Sequence, residues 1–219
     1  MYVHYYMTRE PLTISPETRV GEAEKLLATR GFRHLPVVDG EGRLAGMVTD
    51  RDLRSALPSS LKGGDDREAE LSRVREQPVS DIMSTRTMVL RTVSTLDDAM
   101  LFFEKRSVGA LPVLDAEDRV VGILSFTDLM KAWKSLFGLG EKGAFIIGLE
   151  ADPDRSLTPL VQALEEAGVP FSRLVRTDGS GREPAMIYLR VQTYNVRSVH
   201  AAIGKAGFRV HQPGEAMET

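Results

Sequence analysis

The apolar positions along the chain run through one pattern twice. Val20, Ala23, Leu26 and Leu27 fall three and four apart, the spacing of one helix face, and Leu96, Ala99, Met100 and Phe103 repeat it. A short extended piece precedes each helix, Leu12-Thr13-Ile14 in the first case and Met88-Val89-Leu90 in the second. Two runs rich in β-branched residues follow the first helix, Leu35-Pro36-Val37-Val38 and Ala45-Gly46-Met47-Val48, separated by Asp39-Gly40-Glu41-Gly42. That is a hairpin with turn chemistry in its connection, and the second passage keeps it around Asp115-Ala116-Glu117-Asp118. A last helix starts near Asp50 and again near Phe126, with Leu53 and Leu57, or Leu129, Met130 and Trp133, on its inner face. Thr18 and Ser94 are the expected N-caps of the first helix of each passage, and Gly31 the expected stop in the first.

The two passages are in one register. Pro112 follows Pro36, Gly122 follows Gly46 and Asp128 follows Asp52 at a constant offset of 76, and so do Val79 after Val3, Met83 after Met7 and Ala99 after Ala23. A gapless internal repeat of this length governs the fold. Each unit reads strand, helix, strand, strand, helix, too one-sided to bury its own sheet, so two copies should pack together. Between them, Pro58 to Asp66 reads as a mobile loop and Arg67 to Glu76 as a short charged helix stopped by Pro78.

After Trp133 the period ends. Gly138 to Gly143 reads as a linker, Ala144 to Leu149 as a strand, and Leu157, Leu160, Val161 and Leu164 as a helix ending near Gly168. Phe171 to Val175 and Ala185 to Val191 alternate as strands across the turn Asp178-Gly179-Ser180-Gly181. A helix through Val196, Val199, Ala202 and Ile203 ends near Gly207, and Phe208 to Val210 closes the order βαββαβ, that of a ferredoxin-like unit. The expected class is therefore α/β (α+β). The expected domains are 1–60 and 79–137 for the copies, with a linker at 61–78, then a linker at 138–143 and the last domain at 144–213.

Composition narrows the function. A net charge of -3 and a pI near 5.9 give no global basic field for nucleic acid. The absence of cysteine removes disulfides, thiolate metal sites and thiol catalysis, and fits a cytoplasmic protein. No basic stretch followed by an apolar one opens the chain, and no apolar run reaches membrane-spanning length, so neither a signal peptide nor a membrane role is expected. The histidines at 4, 34, 200 and 211 are scattered, no nucleophile elbow or metal-binding spacing occurs, and no enzymatic reaction is expected. Gly138-x-Gly140-x-x-Gly143 precedes a strand rather than following one, which rejects a dinucleotide fingerprint.

The paired hydrophobic-Pro-Val-hydrophobic-Asp segments, each followed by Gly-hydrophobic-hydrophobic-Thr/Ser-x-x-Asp, resemble the CBS domain pair, or Bateman module, over roughly residues 1 to 135. The last unit resembles an ACT domain, and the order of the three is similar to that of AcuB-type acetoin-utilisation proteins. The resemblance implies a regulatory module that binds adenosine-containing ligands (AMP, ADP, ATP or another adenosyl compound) between its copies, with no required cofactor. It places phosphate against Thr49 and Ser125 and ribose hydroxyls on Asp52 and Asp128. Arg33 and His34 become an anion clamp in the first copy, where the second has Gly109 and Ala110. Ile14 and Val37, with Leu90 and Val113, become walls for adenine. A free helix N-terminus behind a hydroxyl suits a phosphate, and a carboxylate three residues on can accept from two vicinal hydroxyls. The same two carboxylates also complement a helix dipole with no ligand at all.

The resemblance further implies a homodimer and a link to acetoin or acetate metabolism. A ligand-independent scaffold docking on a metabolic enzyme is the alternative. ACT domains commonly carry Asp-x-Pro-Gly-x-Leu before their first helix; here the run is Asp152-Pro153-Asp154-Arg155-Ser156-Leu157, and Arg155 in the glycine position argues against an amino-acid ligand and could instead reach a carboxylate. Tyr2, Tyr5 and Tyr6 are expected to pack on a neighbouring subunit or on the last domain.

Overall fold

Hydrogen bonding begins with an exchange: the opening segment of each copy is built into the other. In the computed structural model, which describes residues 1–58, 65–106, 108–141, 145–150, 155–179 and 184–211, the chain divides after Trp133 into two units.

The first unit holds both copies. Copy one contributes β1 (Thr8–Arg9), α1 (Val20–Arg30), β2 (His34–Val38), β3 (Leu44–Thr49) and α2 (Asp50–Ala56). After α3 (Asp65–Glu76), copy two contributes β4 (Leu90–Arg91), α4 (Leu96–Arg106), β5 (Ala110–Leu114), β6 (Val120–Ser125) and α5 (Phe126–Leu136). β2 and β3 form the expected hairpin, as do β5 and β6, each with a register shift one residue before its turn. Ile14 adds to β2 in parallel, and β4 adds to β5 in the same sense.

The far edge of each sheet comes from the other copy. β1 pairs antiparallel with β6, Thr8 opposite Ile123. Ser84, which is Thr8 shifted by 76, bridges Met47, which is Ile123 shifted by 76. Tyr2 likewise bridges Thr95 and Pro78 bridges Arg19, and the two hairpin ends meet at Arg43 and Arg119. These pairings describe a pseudo-twofold relation between the copies, in which each sheet is completed by the opening segment of the other copy.

The cores follow the same relation. Ile14, Val20, Ala23, Leu27, Leu35, Val37, Val48 and Leu53 cluster with Val79. Leu90, Leu96, Ala99, Phe103, Leu111, Val113, Leu124 and Leu129 cluster with Val3. Position by position the two sets differ by 76, so the repeat is a repeat of core contacts. The exchange also accounts for the motif glycines. A Cβ at Gly46 would stand 2.9 Å from the Met83 sulfur and from the Ser84 carbonyl oxygen, and one at Gly122 would meet the Met7 sulfur. Met7 and Met83 are themselves a pair offset by 76.

Helix starts differ from expectation. α1 has Arg19 at its N-cap with no side-chain bond, while the Thr18 hydroxyl accepts from the Ser15 N–H. In α4 the cap is Thr95 rather than Ser94: its hydroxyl accepts from the Asp98 N–H at 3.1 Å, and Asp98 accepts from the Thr95 N–H at 2.8 Å. Gly31 ends α1 in the left-handed region, φ 66°, as expected of a C-cap. Met130 is exposed rather than inward, and Leu57 caps α2. α3 lies along α1 through Arg75–Glu24 and Arg19–Glu76 ion pairs. The expected loop before it falls on residues 59–64, outside the described residues.

The second unit contains β7 (Phe145–Glu150), α6 (Thr158–Glu166), β8 (Phe171–Thr177), β9 (Met186–Val191) and α7 (Val196–Lys205). The sheet order is β7-β9-β8, antiparallel throughout, and Val210 bridges Leu149 on the outer edge of β7. Ile147, Leu149, Ile187 and Leu189 from the sheet pack with Leu160, Leu164, Val199 and Ile203 from the helices. Asn195 caps α7 by accepting from the Ser198 N–H. Residues 143 and 144, the run 152–154 and positions 180 and 181 of the expected turn lie outside the described residues.

Candidate functional site

The β2–β3 hairpin makes neighbours of residues far apart in sequence. His34 stands directly opposite Thr49, and the Arg33 carbonyl accepts from the Asp50 N–H at 3.1 Å. Arg33, His34, Thr49 and Asp52 are thereby gathered at the end of the strands where α2 begins. In copy two Ala110 stands opposite Ser125, and the Gly109 carbonyl accepts from the Phe126 N–H at 3.0 Å. The frame is the same; the side chains it presents are not.

Within each gathering the hydroxyl and the carboxylate hold one another. Thr49 caps α2 by accepting from the Asp52 N–H at 3.2 Å. Asp52 Oδ2 accepts from the Thr49 N–H at 2.8 Å and from its hydroxyl at 2.6 Å. Ser125 and Asp128 repeat this at 3.1 Å for the cap, 3.2 Å for the return bond and 2.6 Å for the hydroxyl. Both are capping boxes with Asp in the third helical position. At the α2 N-terminus the Asp52 N–H is satisfied by the Thr49 hydroxyl and the Asp50 N–H by the Arg33 carbonyl. Asp128 differs from Asp52 in one respect, since the Lys131 ammonium lies 3.1 Å from its other oxygen. Burial raises the Asp128 carboxyl, but the bonds from Ser125 and Lys131 outweigh it and hold it below the usual range.

His34 crosses to the other copy. A Cβ on Gly109 would come within 2.7 Å of its Cε1 and 2.9 Å of its Nε2, so the imidazole rests on the Gly109 backbone. Burial lowers its pKa below 6.5; Asp50 and Asp52 act the other way and Arg33 adds to the lowering. Asp50 is itself paired with Arg54 at 2.5 Å. The contact with Gly109, the Lys131 pair and the phenyl of Phe126, packed edge-on against Phe103 at 5.7 Å, are parts of the site that sequence reasoning missed. The offset itself could have drawn attention to them, since it sets Phe126 against Asp50 and Lys131 against Ser55.

The residues expected to wall adenine lie deep in the two copies. Val37 and Val113 are fully buried and Leu90 and Ile14 nearly so, all four inside the two cores. Their side chains pack the two sheets.

Elsewhere, Arg155 reaches no carboxylate among the described residues: its guanidinium donates to the Gly207 carbonyl at 2.7 Å and the Ala206 carbonyl at 2.9 Å, and sits 4.2 Å over the Phe208 ring. Tyr2 and Tyr5 are exposed and flank His4, at 5.9 and 4.0 Å between ring centres, while Tyr6 packs on the second core. A depression of about 410 Å³ lies in the second unit between Glu150, His200, Gly204 and Arg209, and includes none of the expected nucleotide residues. Among the described residues no group of His, Asp or Glu is placed to hold a metal, and no helix is long and apolar enough to cross a membrane.

Comparison with known proteins identifies the class. The CBS domain family model matches residues 3–59 and 79–135, and the chain belongs to that family as a tandem pair. Two solved structures are similar over this pair at 28% identity. One is CBSX2, a CBS-pair protein from Arabidopsis thaliana, in complex with AMP; the match has TM-score 0.53 and covers 62% of this chain and 98% of that one. The other is a candidate acetoin utilization protein, AcuB, from Vibrio cholerae, with TM-score 0.54 over 65% of this chain and 96% of that one. Inosine-5'-monophosphate dehydrogenase of Aquifex aeolicus is 31% identical over 165 residues, 74% of this chain, which spans 31% of that enzyme's length.

Proposed function

We propose that this chain is a regulatory sensor that binds an adenosine-containing nucleotide at its CBS pair. The carrying observation is the register that sets His34 opposite Thr49 and so joins a cation, an imidazole, a hydroxyl and a carboxylate at one strand end. In this reading Arg33 and His34 face phosphate, Thr49 supplies a hydroxyl, and Asp52 turns its second oxygen to the ribose. Ser125 and Asp128 are the equivalent pair in the second copy. The similarity to a CBS pair in complex with AMP makes AMP the first ligand to test. Occupancy is passed to the C-terminal unit, taken as ACT-like over 144–213, or to a partner enzyme. The chain acts as a cytoplasmic homodimer without catalysis of its own, and the similarity to AcuB supports a place in acetoin or acetate metabolism.

A ligand-independent scaffold is the second reading. It has its own observation: the two capping boxes give Thr49, Asp52, Ser125 and Asp128 a complete structural role. Thermal unfolding with AMP separates the readings. A ligand bound only by the folded chain stabilises it by about 2.7 kcal/mol at a hundredfold excess over its Kd. A rise in Tm that is lost in Arg33→Ala and in Asp52→Ala supports the sensor; no rise with AMP, ADP, ATP or S-adenosylmethionine supports the scaffold.

A further inference from the structure

We infer that the pair is single-seated: one phosphorylated nucleotide binds per chain, at the first copy, and the second position is closed to it. This rests on the nucleotide reading above and states its stoichiometry and ligand charge. The pseudo-twofold relation makes the two positions comparable residue by residue, and each difference points the same way.

Where Arg33 stands in the first copy, Gly109 stands in the second, and Ala110 replaces His34. The donors that would face a phosphate are therefore absent from the second position, and the space beside Gly109 is already occupied by the His34 ring. Asp50 is replaced by Phe126, about half exposed and packed against Phe103, which puts an apolar ring beside the strand end. Finally, Asp52 and Asp128 differ in their free capacity. Asp52 engages one oxygen in its capping box, and among the described residues Oδ1 takes no hydrogen bond. Asp128 has one oxygen in the box and the other on Lys131. A vicinal diol needs acceptor capacity, which Asp52 keeps on an unengaged oxygen, whereas at Asp128 Lys131 competes for it. The Lys131 side chain is largely exposed, so this pair lowers affinity without abolishing it; the missing phosphate donors complete the closure.

The experiment is calorimetric titration of the full chain with AMP. One AMP per chain is expected. Arg33→Gly, which copies the second position into the first at an exposed residue, should weaken all binding at least tenfold and leave no residual site. Ser55→Lys, which places a lysine three residues after Asp52 as Lys131 follows Asp128, should weaken it several-fold. Two AMP molecules per chain, or one intact site remaining in Arg33→Gly, would overturn the inference while leaving the sensor reading in place. Unchanged binding in Ser55→Lys would overturn the part assigned to Lys131. Absence of any binding in the unaltered chain would instead remove the nucleotide reading itself, and this inference with it.

Discussion

His34 of the first copy lies against Gly109 of the second, with its Cε1 only 2.7 Å from where a Cβ on that glycine would be. The contact is asymmetric, because the residues related to these two by the repeat are Ala110 and Arg33. It half-buries an imidazole, and burial favours the neutral form, so the folded chain holds a proton there less tightly than the unfolded chain does.

The sign of the pH dependence follows. With its folded pKa below 6.5, His34 contributes stability that is fully present above the unfolded value and is lost as pH falls through the folded one. Urea unfolding between pH 7.5 and pH 5 should show a declining midpoint. His34→Gln should flatten that decline; an equal slope in both proteins would assign it to other groups.

The glycines of the two hairpins should not be interchangeable with alanine. Gly46→Ala brings a methyl to 2.9 Å of the Ser84 carbonyl, a backbone atom in the edge pairing, and should cost about 1–3 kcal/mol. Gly40→Ala, in the turn of the same hairpin with nothing within 4 Å, should stay within about 0.5 kcal/mol of the unaltered protein. Denaturant midpoints at constant m-value give the comparison.

Val3 is the more demanding test of the exchange, since it is fully buried yet lies at the start of the chain. Val3→Ala should destabilise by about 1–3 kcal/mol through lost burial and the cavity left beside Leu96 and Leu124. Hydrogen exchange should place the loss in β5, β6 and α4, in the second copy. Faster exchange confined to the first copy would contradict the exchanged arrangement.

Arg155 in the second unit ties the segment before α6 to the loop after α7. Arg155→Met removes two bonds to helix-end carbonyls and the stacking on Phe208, and should lower stability by about 1–2 kcal/mol. Arg155→Lys should recover less than half, because an ammonium cannot span both carbonyls in the plane of the ring. Full recovery by lysine would reduce the role of this residue to charge.

Much of this was legible from residue spacing. Period and punctuation placed the hairpins, and the continuous apolar runs holding Leu35, Val37, Leu111 and Val113 announced buried strands. The partners of those faces were not legible, because local pattern cannot tell whether Val3 completes its own copy or the other; that choice is made by pairings across more than a hundred residues. At the site, the Thr/Ser-x-x-Asp spacing singles out four side chains that the structure gathers in pairs, yet the same spacing is that of a capping box, and sequence alone weighs the two roles without resolving them. Lys131 was passed over because an exposed lysine carries no signal until its neighbour is known to be Asp128. For Ile14 and Val37, an apolar residue beside a motif reads alike whether it faces a cleft or a core.

Thr8 pairs with Ile123, 115 residues further along, while the hairpins themselves close over a few residues. Contacts of such separation slow folding, since the closure of a long loop precedes the reward for making it. At synthesis rates of about 5–20 residues per second, the opening strand waits roughly 6–23 s for its partner to be made. During that interval Tyr2, Val3, Tyr5 and Tyr6 form an unpaired, aromatic-rich end, and the first copy lacks Val79 for most of it. Expression yield, rather than final stability, is the property on which this delay bears most directly.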